Sequence, residues 1–204
     1  MALLRHPYHS LGDEELMKLV VERNQRSFEI LYDRYAKLMY NYFLRMLWKD
    51  REKARDFTQD LFAKLVHKPH LFDPARPFKT WLYSIAHNMC KNEYGKMQVR
   101  KNVHAEMKYV QGSDHEQLSA NKIDRDQFNR KLEEALQELD EVKRTTFELR
   151  FRQELSIQEI SEVMECNEGT VKSRLFYTLK QLNGKLKVFE GISLVISAFH
   201  ILIS

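Results

Sequence analysis

The chain has 204 residues, of which 43% are hydrophobic and 30% charged, enough for one large or two small domains with modest cores. Six glycines and four prolines fall well short of the combined ~12% of average usage, so the turns of an all-β sandwich or a Rossmann-type enzyme are missing and helices joined by short polar connections are expected. Cys90 and Cys166 are the only cysteines and lie far apart, which excludes a disulfide framework or a CxxC metal knuckle and fits a reducing, cytoplasmic setting. Met1 to His9 is followed by the acidic Asp13-Glu14-Glu15, not by an apolar run, so no secretion signal is expected.

The net charge of +4 is unevenly spread. Residues 1–100 hold 18 Lys and Arg against 12 Asp and Glu, whereas residues 126–187 hold 11 against 12. Within that second stretch, Asn167 to Lys187 carries Lys172, Arg174, Lys180, Lys185 and Lys187 against Glu168 alone. A short basic helix on a non-basic body points to a focused polyanion contact, or to a solvated helix face.

After a short helix near Asp13 to Glu22, apolar residues recur at helical spacing in three stripes. Phe28, Leu31, Tyr35, Leu38, Met39 and Tyr42 form the first. Ala54, Phe57, Leu61 and Leu65 form the second, and Phe78, Trp81, Leu82, Ile85 and Met89 the third. Pro69, Pro74 and Pro77 fall between the second and third stripes. Proline lacks the amide donor and clashes with helical geometry, so a stiff loop is predicted there. Residues 97–125 show no sustained period and include Gly112, Ser113, Asp114 and Asn121, the composition of a flexible linker.

Helical pattern resumes from Asp126 with Leu132, Leu136 and Leu139, then Phe147, Leu149 and Phe151. Ser156-Ile-Gln-Glu159 is a capping box that starts a short helix bearing Ile157, Ile160, Val163 and Met164. Glu165-Cys166-Asn167 makes a tight turn, Asn167 caps the next helix, and Val171, Leu175, Leu179 and Leu182 give it one apolar face. This is a helix-turn-helix unit, whose second helix commonly enters a DNA major groove, although helical hairpins also build plain bundles. Opposite the apolar face lie Thr170, Ser173, Tyr177 and Lys180, flanked by Lys172, Arg174 and Phe176. Lys172 can donate to guanine, Ser173 and Thr170 can pair with several base edges, Phe176 can touch a thymine methyl and Arg174 can clamp a phosphate.

Catalysis finds no support. His67 and His70 are separated by the helix-breaking Pro69 and lack a third ligand. Glu133-Glu134 and Asp140-Glu141 are adjacent acids rather than pairs facing across a cleft. No catalytic residue, metal site or cofactor is expected.

Four segments stand in a recognisable order: Phe28-Glu-Ile-Leu-Tyr-Asp-Arg-Tyr35, Asp56-Phe-Thr-Gln-Asp-Leu-Phe62, Phe72-Asp-Pro-Ala-Arg-Pro-Phe-Lys-Thr-Trp-Leu-Tyr83 and Gly169-Thr-Val-Lys-Ser-Arg-Leu175. Together they resemble an extracytoplasmic-function (ECF) sigma factor of bacterial RNA polymerase over about Asp13 to Lys187. The resemblance implies an all-α chain of two small helical domains joined by a flexible linker, the second a helix-turn-helix domain. Residues 1–96 would be the region-two domain, 97–125 the linker and 126–187 the region-four domain, with an apolar tail at 188–204 beyond the match.

The implied function is promoter-specific initiation: binding core RNA polymerase, reading two promoter elements and assisting DNA melting. By resemblance Asp56, Gln59, Asp60 and Phe62 meet the polymerase. Arg76, Phe78, Lys79, Trp81, Asn88 and Asn92 meet the minus-ten element, Trp81 serving equally well as packed core. Thr170, Lys172, Ser173, Arg174, Phe176 and Tyr177 meet the minus-thirty-five element. Promoter DNA, core polymerase and an anti-sigma factor are the implied partners. The runner-up is a stand-alone helix-turn-helix regulator.

Two departures stand out: Tyr177 and Leu179 occupy positions where the family often has basic residues, and Asp140 replaces a common proline. The tail, Gly191 to Ile203, is 13 nearly uncharged residues, short of the ~20 that span a bilayer. It reads as a segment docked on this chain's helices, a ligand for another protein, or a frayed end.

Overall fold

The computed structural model describes residues 7–104 and 125–186, and every regular element in them is helical. The linker segment 105–124 and the apolar tail lie outside the described residues.

The first domain comprises α1 (Asp13–Val21), α2 (Gln25–Met46), α3 (Arg51–His67) and α4 (Phe78–His104), with 3-10 turns at Pro7–Ser10 and Pro69–Leu71. Two starts are fixed by short polar side chains that accept from an otherwise orphaned amide three residues on. Asn24 accepts from Ser27 and Asp50 from Lys53, both at 3.0 Å. Inside, Tyr42, Phe43, Phe78 and Tyr83 are fully buried together with Leu31, Met39 and Leu61, each such side chain worth about 1.5–3 kcal/mol of transfer free energy. The rings meet edge to face, Tyr42 on Tyr83 at 5.4 Å and Phe43 on Phe57 at 5.5 Å. Leu38, expected on the first stripe, faces solvent. Tyr35 and Tyr42 already fill the angular range that the core can reach.

The proline segment forms the α3–α4 connection. α4 continues to His104, eight residues into the expected linker. Met97 to His104 contains neither proline nor glycine, so nothing in the sequence stops the helix, and at its start Gln98 and Val99 are exposed, as a segment without an apolar stripe requires.

The second domain comprises α5 (Arg125–Gln137), α6 (Glu141–Phe147), a π-helical turn (Glu148–Arg152), α7 (Ile157–Val163) and α8 (Glu168–Leu186). Asp140 caps α6 by accepting from the Lys143 amide at 2.8 Å, so the aspartate in place of proline starts the helix. Leu149, Ile160, Val163, Val171 and Leu175 form its buried centre.

The scarcity of glycine has a structural counterpart. Arg23, Trp48, Lys49, Glu154 and Glu165 adopt positive φ between 52° and 64°, the left-handed seats at helix ends that glycine usually fills.

Candidate nucleic-acid and protein interfaces

Asp56, Gln59 and Asp60 form an exposed polar row on α3, off the stripe that packs on α2. Phe62 does not join them. It is buried between Phe28, whose ring stands 6.2 Å away edge-on, and Tyr32, 4.7 Å away. The accessible aromatic against Phe62 is Tyr32, which sits one position past the Leu31 stripe and so carries no signal in the apolar period.

The loop before α4 is braced from within. Asp73 accepts from the Ala75 amide at 3.0 Å, and the Arg76 amide donates to the Asp73 carbonyl at 3.0 Å. This leaves the Arg76 side chain exposed. Phe78 is a core residue instead of a base-stacking one: its ring packs on Tyr35 at 5.3 Å and Phe72 at 5.8 Å, while its amide donates to Glu14 at 2.8 Å. Trp81 is half-buried against Phe72 at 5.2 Å, so its core role is realised at the edge of the domain. Asn88 and Asn92 are exposed on α4. Lys79 is half-buried, and its ammonium donates to the backbone carbonyl of Gln153, in the second domain, at 2.6 Å.

Further along α4, His87 is also covered, and its Nδ1 has no hydrogen-bond partner. Burial first, then the positive charges of Lys91 and Arg174, lower its pKa to about 4, with Glu165 opposing.

The helix-turn-helix forms as expected. Ser156 caps α7, with the Glu159 amide donating to its hydroxyl at 3.1 Å and its own amide donating to Glu159 at 2.8 Å. Asn167 caps α8 by accepting from the Thr170 amide at 2.7 Å and the Thr170 hydroxyl at 2.9 Å. Glu165, with φ 52°, makes the turn between them.

On the outward face of α8, Lys172, Ser173 and Lys180 are exposed, and the rings of Phe176 and Tyr177, 51% and 59% exposed, meet edge to face at 5.4 Å. Large exposed rings side by side on a polar helix suit stacking or methyl contact with a partner. The Ser173 hydroxyl donates to the Gly169 carbonyl at 2.9 Å, leaving its lone pairs to accept. Arg174 is not poised over this face; it turns back and donates to Cys166 Sγ at 3.4 Å. Lys143 of α6, absent from the sequence reading, joins Thr170, Ser173, Tyr177 and Lys180 in lining an open groove. Nothing in its local pattern marked it, because α6 and α8 meet only in the fold.

Among the described residues, no group of three His, Cys, Asp or Glu side chains could hold a metal ion, and no helix is long and apolar enough to cross a membrane.

A helical domain with a braced loop, followed by a helix-turn-helix domain with a donor-rich outer face, has the make-up of a nucleic-acid-binding chain. The model for Sigma-70 region 2 matches residues 31–100, and the model for Sigma-70 region 4 matches residues 129–182. The chain is 29% identical over 182 residues to the RNA polymerase sigma-H factor of Pseudomonas aeruginosa, covering 86% of this chain and 94% of that one. It is 30% identical over 158 residues to the ECF RNA polymerase sigma factor SigL of Mycobacterium tuberculosis, covering 74% and 84%. The fold is shared with CnrH, solved with the cytosolic domain of CnrY, at TM-score 0.64 and 22% identity over 87% of this chain and 98% of that one. It is shared also with the sigma factor RpoE of Bartonella quintana, solved with the anti-sigma factor NepR, at TM-score 0.61 and 20% identity over 80% and 99%. The chain belongs to the ECF family of RNA polymerase sigma factors.

Proposed function

We propose that this protein is a promoter-specificity subunit acting without catalysis of its own, in the cytoplasm, and that its named residues divide the work in three. The exposed row Asp56, Gln59 and Asp60 on α3 docks on core RNA polymerase. Arg76 and the exposed side of α4, with Asn88 and Asn92, engage the minus-ten element. The outer face of α8, with Thr170, Lys172, Ser173, Phe176 and Tyr177, reads the minus-thirty-five element. Strand separation draws on polymerase binding energy, with a flipped base costing a few kcal/mol of stacking that backbone and aromatic contacts offset.

The observation that supports this reading best is the capped, outward-facing α8 on a chain matched by both sigma regions in order. The same order disfavours a stand-alone regulator. An anti-sigma partner is part of the proposal, supported by the complex in which RpoE of Bartonella quintana was solved.

The test mixes the protein with core RNA polymerase lacking other sigma factors, transcribes bacterial genomic DNA and maps RNA 5′ ends. Discrete starts sharing two upstream elements are expected. Tight duplex binding by the protein alone, with no core binding and no discrete starts, would transfer the reading to a stand-alone regulator.

A further inference from the structure

The two domains touch along two lines. On one, α4 supplies donors: the Thr80 hydroxyl to Glu159 Oε1 at 3.0 Å and the Tyr83 hydroxyl to Gln153 Oε1, beside the Lys79 contact described above. Those groups are paired. On the other, α6 and the π-helical turn face the end of α2, and there a cation is left over.

Arg144 of α6 is 5% exposed, yet its Nε and Nη1 have no hydrogen-bond partner. Its guanidinium carbon lies 5.1 Å from the centroid of the Trp48 ring, whose face attracts a cation without supplying an ordinary acceptor. Among the described residues no carboxylate comes within ion-pair distance of it; Glu141, three residues before it, senses its charge from farther off. A buried donor without an acceptor is costly, the more so on a charged group. Such a group in a folded protein calls for a bound water or ion.

Arg144 lines a cavity of about 20 Å³ at this junction, together with Arg45, Lys49, Arg152, Glu133 and Glu148. Four cations face two carboxylates, and both carboxylates are already paired. Glu148 accepts from Arg45 and stands 3.4 Å from Arg152, while Glu133 pairs with Arg152. Arg45 and Arg152 are thereby neutralised, and Arg144 and Lys49 remain as two positive charges without a counter-charge. Lys49 and Gln137 are the exposed members of the lining and mark the way in.

Size and charge narrow the occupant. A cavity of this volume takes one water-sized particle, so a monatomic ion fits whereas a tetrahedral oxyanion or a carboxylic acid does not. A water would satisfy an N–H but leave the charge unbalanced, and a cation is repelled.

We propose that this cavity is a halide site, in which a chloride ion accepts from the Arg144 guanidinium, is balanced by Lys49 and completes the charge of the junction between α2, α6 and the π-helical turn. The site lies apart from the promoter-reading and polymerase-docking residues proposed above and stands whether or not those assignments hold.

The test uses the full chain in ~150 mM sodium chloride or sodium gluconate, equal in ionic strength, gluconate being too large to enter. Thermal melts report linked stabilisation, and the ³⁵Cl resonance line width reports binding directly, with sodium bromide as competitor. Chloride is expected to raise the melting temperature by about 3 °C over gluconate, and the protein to broaden the ³⁵Cl line until bromide displaces the ion. Arg144→Met keeps an aliphatic stem against Trp48 while removing the charge, and should abolish both effects, with circular dichroism verifying helix content. Lys49→Gln, at an exposed position, should weaken chloride binding about fivefold and carries the comparison alone if Arg144→Met does not fold. Equal melting in both salts with no ³⁵Cl broadening would overturn the proposal and assign the cavity to water. Broadening that survives Arg144→Met, or affinity unchanged by Lys49→Gln, would place the chloride elsewhere and overturn it equally.

Discussion

Arg45 of α2 donates its Nε–H to Glu148 of the π-helical turn at 2.5 Å, joining residues 103 positions apart in the chain. Glu148 is 2% exposed, whereas Arg45 keeps a quarter of its side chain in water. The pair is therefore asymmetric: the carboxylate depends on its partners and the guanidinium does not. Removing one partner of a buried pair typically costs more than the pair contributes, and here Arg152 at 3.4 Å and Gln153 remain to hold the anion. Arg45→Ala is expected to lower unfolding free energy by about 2 kcal/mol, and Glu148→Gln by about half as much. Urea denaturation of both variants checks the order, and a larger loss for Glu148→Gln would contradict it.

His87 predicts a pH dependence. Its pKa in the folded chain is lowered from 6.5 to about 4 by burial between α4 and the second domain. A base held neutral contributes fully above its unfolded pKa. Its contribution fades as pH falls from about 6.5 towards 4, because the unfolded or opened form takes up the proton first. From pH 7 to pH 5 the expected loss is about 2 kcal/mol. Lys91, Arg174 and Glu165 are the charges around it. His87→Gln should flatten stability across that window, measured by denaturation at pH 5 and pH 7; an unchanged slope would place the proton uptake elsewhere.

On α8, two lysines should behave differently. Lys172→Ala is expected to change promoter ranking by about 1–3 kcal/mol at one base position. Lys180→Ala, at the far end of the groove, should weaken all sequences alike and reduce the salt slope of log K by about 0.9. Binding titrations across a promoter library at several salt concentrations distinguish the two. A sequence-dependent effect of Lys180→Ala would shift the reading register by about two helical turns.

Glu165, at φ 52°, occupies a left-handed seat in the helix-turn-helix turn. A side chain there costs about 1–2 kcal/mol, partly offset because glycine loses more entropy on folding, about 0.5–1 kcal/mol. Glu165→Gly should thus raise stability by about 0.5–1 kcal/mol. Glu165→Val should lower it, since a β-branched residue suits that region least. Thermal melts of both variants check the sign.

What could be read from the chain was what local chemistry dictates. Ser156 with Glu159, and Asn167 before a basic amphipathic run, announce helix starts through groups three residues apart, and those bonds form. The stiff proline loop and the two-domain division were legible for the same reason. Phe62 and Phe78 went astray because a motif names a segment that contacts a partner without saying which of its side chains turn inward. The row formed by Lys79, Thr80, Tyr83, Gln153 and Glu159 left no trace in periodicity. Its paired members lie 70 to 79 residues apart and meet only when two finished domains face each other.

Glu159 divides its two oxygens, one holding the start of α7 through Ser156 and the other meeting Thr80 across the domain boundary. Withdrawal of the neighbouring domain therefore leaves the α7 cap bonded and costs the helix-turn-helix none of its internal hydrogen bonds. The helix-turn-helix is thus self-contained: its caps close within the second domain, and the outward face of α8, with Phe176 and Tyr177 about half exposed, stands open while the two domains touch.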